Sequence, residues 1–141
     1  MIVVDTSAVL QLASSTAHRH GDVVRVIERL DGPFLLSPFV LAELDYMLGE
    51  RHGQRAQLAI LGEVVDGAYE LAPFGREDVF AAREVMERYG DLRVGLTDAS
   101  LVVLAERHGT ADVLTFDHRN FRAMSGPGGR PFRILPDDFP A

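Results

Sequence analysis

Five short apolar runs punctuate the chain, at Ile2–Val4, Phe34–Leu36, Tyr69–Ala72, Val113–Phe116 and Phe132–Leu135, and the stretches between them carry helical periodicity. Runs this short with little polar alternation read as strands buried on both faces. Parallel strands need long crossovers, and helices supply them. The pattern therefore predicts an α/β chain whose mostly parallel sheet is covered by helices on both sides.

The helices are marked by local chemistry. Thr6 or Ser7 caps a first helix through Val9, Leu10 and Leu12, and a second, from about Asp22 to Leu30, puts Val23, Val26, Ile27 and Leu30 on one face. Asp31-Gly32-Pro33 ends it. Ser37-Pro38 is a cap followed by proline in the first helical position, which opens a helix to about Arg51 that stops near Gly53. Helix resumes over Arg55–Val65, and again over Glu77–Tyr89 with Val79, Ala82 and Met86 inward. After the GDLRVGL loop, Thr97 caps a helix through His108 that Gly109 closes. A short helical turn and the glycine-rich SGPGGRP loop precede the final strand.

With 141 residues, 47% of them hydrophobic, and no repeats or linkers, residues 1–141 read as a single domain. Composition excludes several chemistries. There is no cysteine, hence no disulfide, thiolate metal site or cysteine nucleophile, which fits a reducing compartment. All 14 basic residues are arginine, so Schiff-base and P-loop lysine chemistry are absent. No run is long enough to span a membrane and the start lacks the features of a signal peptide, so the expected location is cytoplasmic. The net charge of −7 confines any nucleic-acid contact to local basic groups.

Four carboxylates interrupt apolar patterns. Asp5 ends the first strand and Asp117 ends the Val113–Phe116 strand. Ligands of open α/β sheets bind outside the carboxyl ends of the strands, so both would face the usual crevice. Glu43, in PFVLAELDYML, lies beside Phe39, Val40, Tyr46 and Met47 at helical spacing, with no arginine within a turn. Asp98, in GLTDASLVVLAE, heads a stripe of Leu101, Val102 and Ala105. Asp5 and Asp117 taken singly could be helix caps, and Asp98 a complement to a helix dipole. Asp45 reads as a solvated acid. As chemistry, an all-oxygen cluster selects a hard cation such as Mg²⁺ or Mn²⁺, because zinc would draw histidine or cysteine.

The order and spacing of VVDTSAVL, FVLAELDYML, GLTDASLVVLAERHG and LTFDHRNF resemble the PIN-domain family, specifically the VapC-type toxins of bacterial toxin–antitoxin pairs. The resemblance covers nearly the whole chain. It implies an α/β/α three-layer sandwich with a mostly parallel sheet of about five strands, and Mg²⁺- or Mn²⁺-dependent endoribonuclease activity. Asp5, Glu43, Asp98 and Asp117 match the family's acidic cluster, with Asp5 and Asp98 as direct metal ligands. Glu43 would bind metal or orient a water, and Asp117 would help place a metal. Ser7 matches the supporting hydroxyl after the first acid, while Thr6 reads as a cap. The resemblance also implies a VapB-like antitoxin partner, an RNA substrate and a homodimer. The helices carrying Val9, Leu10 and Leu12, and Val23, Val26 and Ile27, could form an apolar groove for the antitoxin tail.

Other residues read more plainly. His18 and His20 flank Arg19 at an exposed helix start, and His52 and His108 suit helix ends, where a cation complements the dipole. His118 and Arg119 adjoin Asp117 and are candidate RNA phosphate contacts or else a solvated turn. Asp91 is left outside the cluster. A receiver domain lacks its lysine here, and a haloacid-dehalogenase-type phosphatase would want an aspartate where Ser7 stands. The alternative function is a non-catalytic PIN-fold binding module or a permanently masked nuclease.

Overall fold

The computed structural model describes residues 1–140. Its strands are β1 (Ile2–Val4), β2 (Phe34–Leu36), β3 (Glu70–Leu71), β4 (Asp112–Leu114) and β5 (Arg133–Leu135). They form one sheet of order β3-β2-β1-β4-β5, and every pairing between them is parallel. The helices are α1 (Thr6–Ala13), α2 (His20–Arg29), α3 (Pro38–His52), α4 (Gln54–Val65), α5 (Arg76–Arg88), α6 (Leu96–His108) and α7 (His118–Ala123). The architecture is the α/β/α sandwich that the alternation of short apolar runs and helices predicts.

Burial explains the apolar runs. β1 sits at the centre of the sheet with every residue buried, so neither face can carry a polar side chain. Val3 pairs with Leu35 on one side and Val113 on the other. β3 is an edge strand whose Glu70 and Leu71 are exposed, while the flanking Tyr69 and Ala72 are buried. α6 is wrapped on all sides: Ala99 to Ala105 are buried without exception. It packs on α5 and also touches α3 and β1.

The connectivity fixes where a site can form. The chain runs from β1 through β2 to β3 on one side, then crosses to β4 and β5 on the other. The direction of winding reverses between β1 and β4. Such a switch point leaves a crevice beyond the carboxyl ends of the two strands, because their following connections leave in opposite directions.

Several local expectations need correction. The cap of α1 is Asp5, whose backbone is extended and whose side chain accepts from Thr6 N; Thr6 and Ser7 lie inside the helix. α6 is preceded by Gly95 with no side-chain cap, so Thr97 is an interior first-turn residue. α5 turns a different stripe inward. Ala82 and Val85 are buried, whereas Val79 is 47% and Met86 37% exposed. The helix packs chiefly on α6, and an Asp78–Arg107 ion pair joins the two helices.

Candidate functional site

Asp5 stands directly after β1, and the ladder continues into it, since its N–H donates to Leu114 O of β4 at 2.9 Å. Its side chain is therefore carried to the strand end at the switch point, where it is only 6% exposed. A buried carboxylate needs donors. Thr6 N donates to Oδ1 at 2.8 Å and Thr115 Oγ1 donates to Oδ2 at 2.7 Å, while Ser7 Oγ lies 3.3 Å from the same oxygen. Ser7 Oγ in turn accepts from Phe116 N at 3.0 Å, and Thr115 Oγ1 accepts from Asp117 N at 3.0 Å. The hydroxyls thus tie the segment after β1 to the segment after β4.

Asp117 caps α7. Its Oδ1 accepts from Asn120 N at 3.2 Å and its Oδ2 from Asn120 Nδ2 at 3.1 Å. The same Nδ2 reaches Asp98 Oδ2 at 3.2 Å, so one amide bridges two carboxylates. Asp98 lies in the first turn of α6, where an acid complements the helix dipole. Glu43 projects from α3 as an exposed residue, which corrects the expectation of a charge on a core stripe. The core face of α3 is Val40, Leu44 and Leu48, and Glu43 is turned from it toward the crevice. Tyr46 beside it is also exposed.

All four acids line one cleft of about 640 Å³, together with Thr6, Ser7, Gln11, Met47 and Arg51. The charges are felt. Burial raises the Asp5 carboxyl above its ordinary value, against the hydrogen bonds from Thr115 and Thr6, and Asp117 and Glu43 add to the rise. Asp98 is pushed up to about 6, first by burial and then by Asp5 and Asp117, with the Asn120 bond opposing. Groups that hold protons this strongly mark a site short of positive charge.

Among the described residues no three acids or imidazoles draw together into a closed ligand cage. The donor set still suits a hard cation that keeps several of its own waters. It is all oxygen, it is electrostatically frustrated, and the buried Thr6 Oγ1 on its wall has no hydrogen-bond partner. No histidine lines the cleft, so it lacks the imidazole nitrogen and thiolate sulfur donors that zinc sites favour.

The remaining candidates lie elsewhere. His118 opens α7 and its Nε2 pairs with Asp137, which also takes Arg19; Arg119 is exposed, and neither lines the cleft. His20 Nδ1 lies 3.1 Å from Gln11 O. Asp91 is exposed in a 3-10 turn over Gly90–Leu92. Sequence reasoning missed Thr115, Asn120 and Arg51. Thr115 looks like a strand residue in LTFD, and Asn120 carries a weak signal, its place three residues after a capping aspartate.

Comparison with known proteins adds independent findings. Residues 2–127 match the model of the PIN domain family. The chain is 38% identical to ribonuclease VapC26 of Mycobacterium tuberculosis over 135 residues, 96% of this chain and 100% of that protein. Among solved structures, VapC20 of Mycobacterium tuberculosis, a sarcin–ricin loop cleaving toxin, aligns with a TM-score of 0.78 at 24% identity, over 84% of this chain and 92% of that one. VapBC2 from Rickettsia felis, bound to a DNA fragment from its promoter, aligns at 0.66 and 16%, over 95% and 98%.

Proposed function

The chain belongs to the PIN-domain family, and on that premise we propose that it is a VapC-type toxin, an endoribonuclease working at the four-carboxylate cleft with Mg²⁺ or Mn²⁺. The observation that carries the reading is the convergence of Asp5, Glu43, Asp98 and Asp117, from four separate segments, on one crevice at the switch point. The acids also act on one another, since Asp117 and Glu43 add to the rise at Asp5, and Asp5 and Asp117 to the rise at Asp98, a strain that a bound cation would relieve.

Asp5 and Asp98 would be the direct metal ligands, Glu43 would bind metal or orient a water, and Asp117 would help place a metal, directly or through water. A cation held there would supply positive charge for the scissile phosphate and make the attacking water more acidic. The chain does the rest by positioning. Thr115 and Thr6 fix both oxygens of Asp5, Ser7 supports that network, and Asn120 holds Asp98 and Asp117 at a set spacing. His118 and Arg119 would meet RNA phosphates beyond the cleft mouth.

The substrate class that fits is structured RNA, as the similarity to a sarcin–ricin loop cleaving toxin suggests. The partner is a VapB-like antitoxin. An apolar groove of about 590 Å³, lined by Val9, Leu12, Val23 and Ile27, offers a seat for its tail, in line with a toxin–antitoxin complex among the structural neighbours. A homodimer fits the exposed apolar row of Leu58, Leu61 and Val65 on α4. The place of action is the cytoplasm, where RNA and antitoxin are made. No helix among the described residues is long and apolar enough to cross a membrane.

The test is cleavage of total RNA by pure protein with manganese and with chelator, followed by mapping of new ends. Metal-dependent cleavage lost in Asp98→Asn supports the reading. Equal cleavage by both proteins, or none with any divalent cation, overturns it.

A further inference from the structure

The cleft of an anion-cutting site is walled by four acids and by a single cationic side chain, Arg51. It lies on the same face of α3 as Glu43 and Met47, at successive steps of four residues, so the helix presents a carboxylate, a thioether and a guanidinium in a row along the wall. Among the described residues Arg51 makes no ion pair and no side-chain hydrogen bond; Arg119 on α7 is likewise unpaired but does not line the cleft, and Arg19 is held by Asp22 and Asp137. Its donors are free and it is exposed.

We propose that Arg51 is the phosphate clamp of the cleft, binding an RNA backbone phosphate next to the one positioned at the acids. The inference rests on the ribonuclease reading above and goes further by assigning the residue that holds the substrate. A guanidinium suits the role because its planar fork binds phosphate oxygens in pairs and it cannot lose its charge. It also answers the problem of net charge. A chain at −7 repels RNA at long range, so the strand must be caught by a local cation inside the site. The separation between Glu43 and Arg51, eight residues or about 12 Å along the axis, is of the order of one to two nucleotide steps in an extended single strand.

A plainer role competes: Arg51 lies in the last turn of α3, where a cation complements the dipole. Arg29 occupies the same place in α2 and lies away from the cleft, which makes Arg29→Gln the matched control.

The experiment measures binding of a fluorescein-labelled RNA hairpin with a mixed-sequence loop by anisotropy, in an Asp98→Asn background with magnesium fixed, across a salt series. Arg51→Gln is expected to weaken binding several-fold and to reduce the slope of log affinity against log salt by roughly 0.7, one phosphate contact on a single strand. Arg51→Lys should retain the slope, and Arg29→Gln should change neither. Hairpin binding with the slope unaltered in Arg51→Gln overturns the clamp while leaving the ribonuclease reading intact. No hairpin binding by the parent overturns both. A shift in melting temperature without a shift in slope assigns Arg51 to the helix end and overturns the proposal.

Discussion

Thr115 Oγ1 donates to Asp5 Oδ2 at 2.7 Å, joining residues 110 positions apart across the two strand ends that flank the switch point. The bond gives one oxygen of a buried carboxylate its strongest donor and fixes the direction in which that carboxylate faces the cleft. Thr115→Val keeps the shape and removes the donor. It should cost about 1–3 kcal/mol in chemical denaturation, the usual penalty for stranding a buried acceptor, and it should lower cleavage. Thr115→Ser should recover both.

The apolar groove and the acid cleft lie on different walls, so they should be separable by mutation. Ile27 lines the groove from α2 and is only partly buried, which lets it accept a charge without unfolding the core. Ile27→Glu is expected to abolish co-purification with a VapB-like antitoxin while RNA cleavage by the free protein is little changed. Loss of cleavage together with loss of the antitoxin would mean that the groove and the cleft act as one surface.

The asparagine that bridges two acids should set the pH response. Asn120 Nδ2 donates to both Asp98 and Asp117, and at Asp98 the bond favours the charged form. Asn120→Ala removes that donor, so the Asp98 carboxyl should hold its proton to higher pH. Proton and cation compete for the same oxygens. The acid limb of kcat/KM at subsaturating manganese should therefore move toward neutrality in Asn120→Ala and recover with excess manganese. An unmoved limb would exclude Asn120 from the electrostatics of the site.

What the chain reveals before folding is uneven for physical reasons. β1, β2 and β4 are legible because their buried residues are all apolar, Asp112 at the half-buried start of β4 being paired with Arg133, and the acids that follow β1 and β4 stand out against them. Glu43 is legible as an acid and illegible in orientation, since of its apolar neighbours Met47 lines the crevice and Tyr46 faces solvent, while Phe39 packs edge-on against Phe74. The rotation of α5 is invisible for a related reason: it is read from which face meets α6, a helix distant in sequence, and Ala82 and Val85 are the residues that do. Asn120 and Thr115 acquire their roles through contacts with distant segments, 22 residues away at Asp98 and 110 away at Asp5, and no local pattern encodes those.

The strongest consequence of burying Asp98 beside other acids is that it should weaken the fold it serves. Its folded pKa, raised to about 6, exceeds the unfolded value of about 4, so the folded state binds the proton more tightly. The associated stability is fully present below pH 4 and is lost as pH rises through about 6. Discounted for its partial exposure, the loss is about 1 kcal/mol, or a few degrees in Tm. Asp98→Asn cannot ionise and keeps an oxygen for Asn120, so in chelator it should melt above wild type at pH 7 and converge with it near pH 4. Asp5→Asn should behave differently. Both Asp5 oxygens accept from donors, and an amide would set N–H against Thr6 N–H or the Thr115 hydroxyl, offsetting the relief of charge. Magnesium or manganese should raise the Tm of wild type more than that of Asp98→Asn, since a ligand of the native state stabilises it by mass action. Scanning calorimetry of the three proteins from pH 4 to 8, with chelator and then with metal, measures all of this. A chelated Asp98→Asn that melts below wild type at pH 7, with no metal response in any protein, would show the carboxylates to be structural caps and remove the basis for a metal-dependent nuclease.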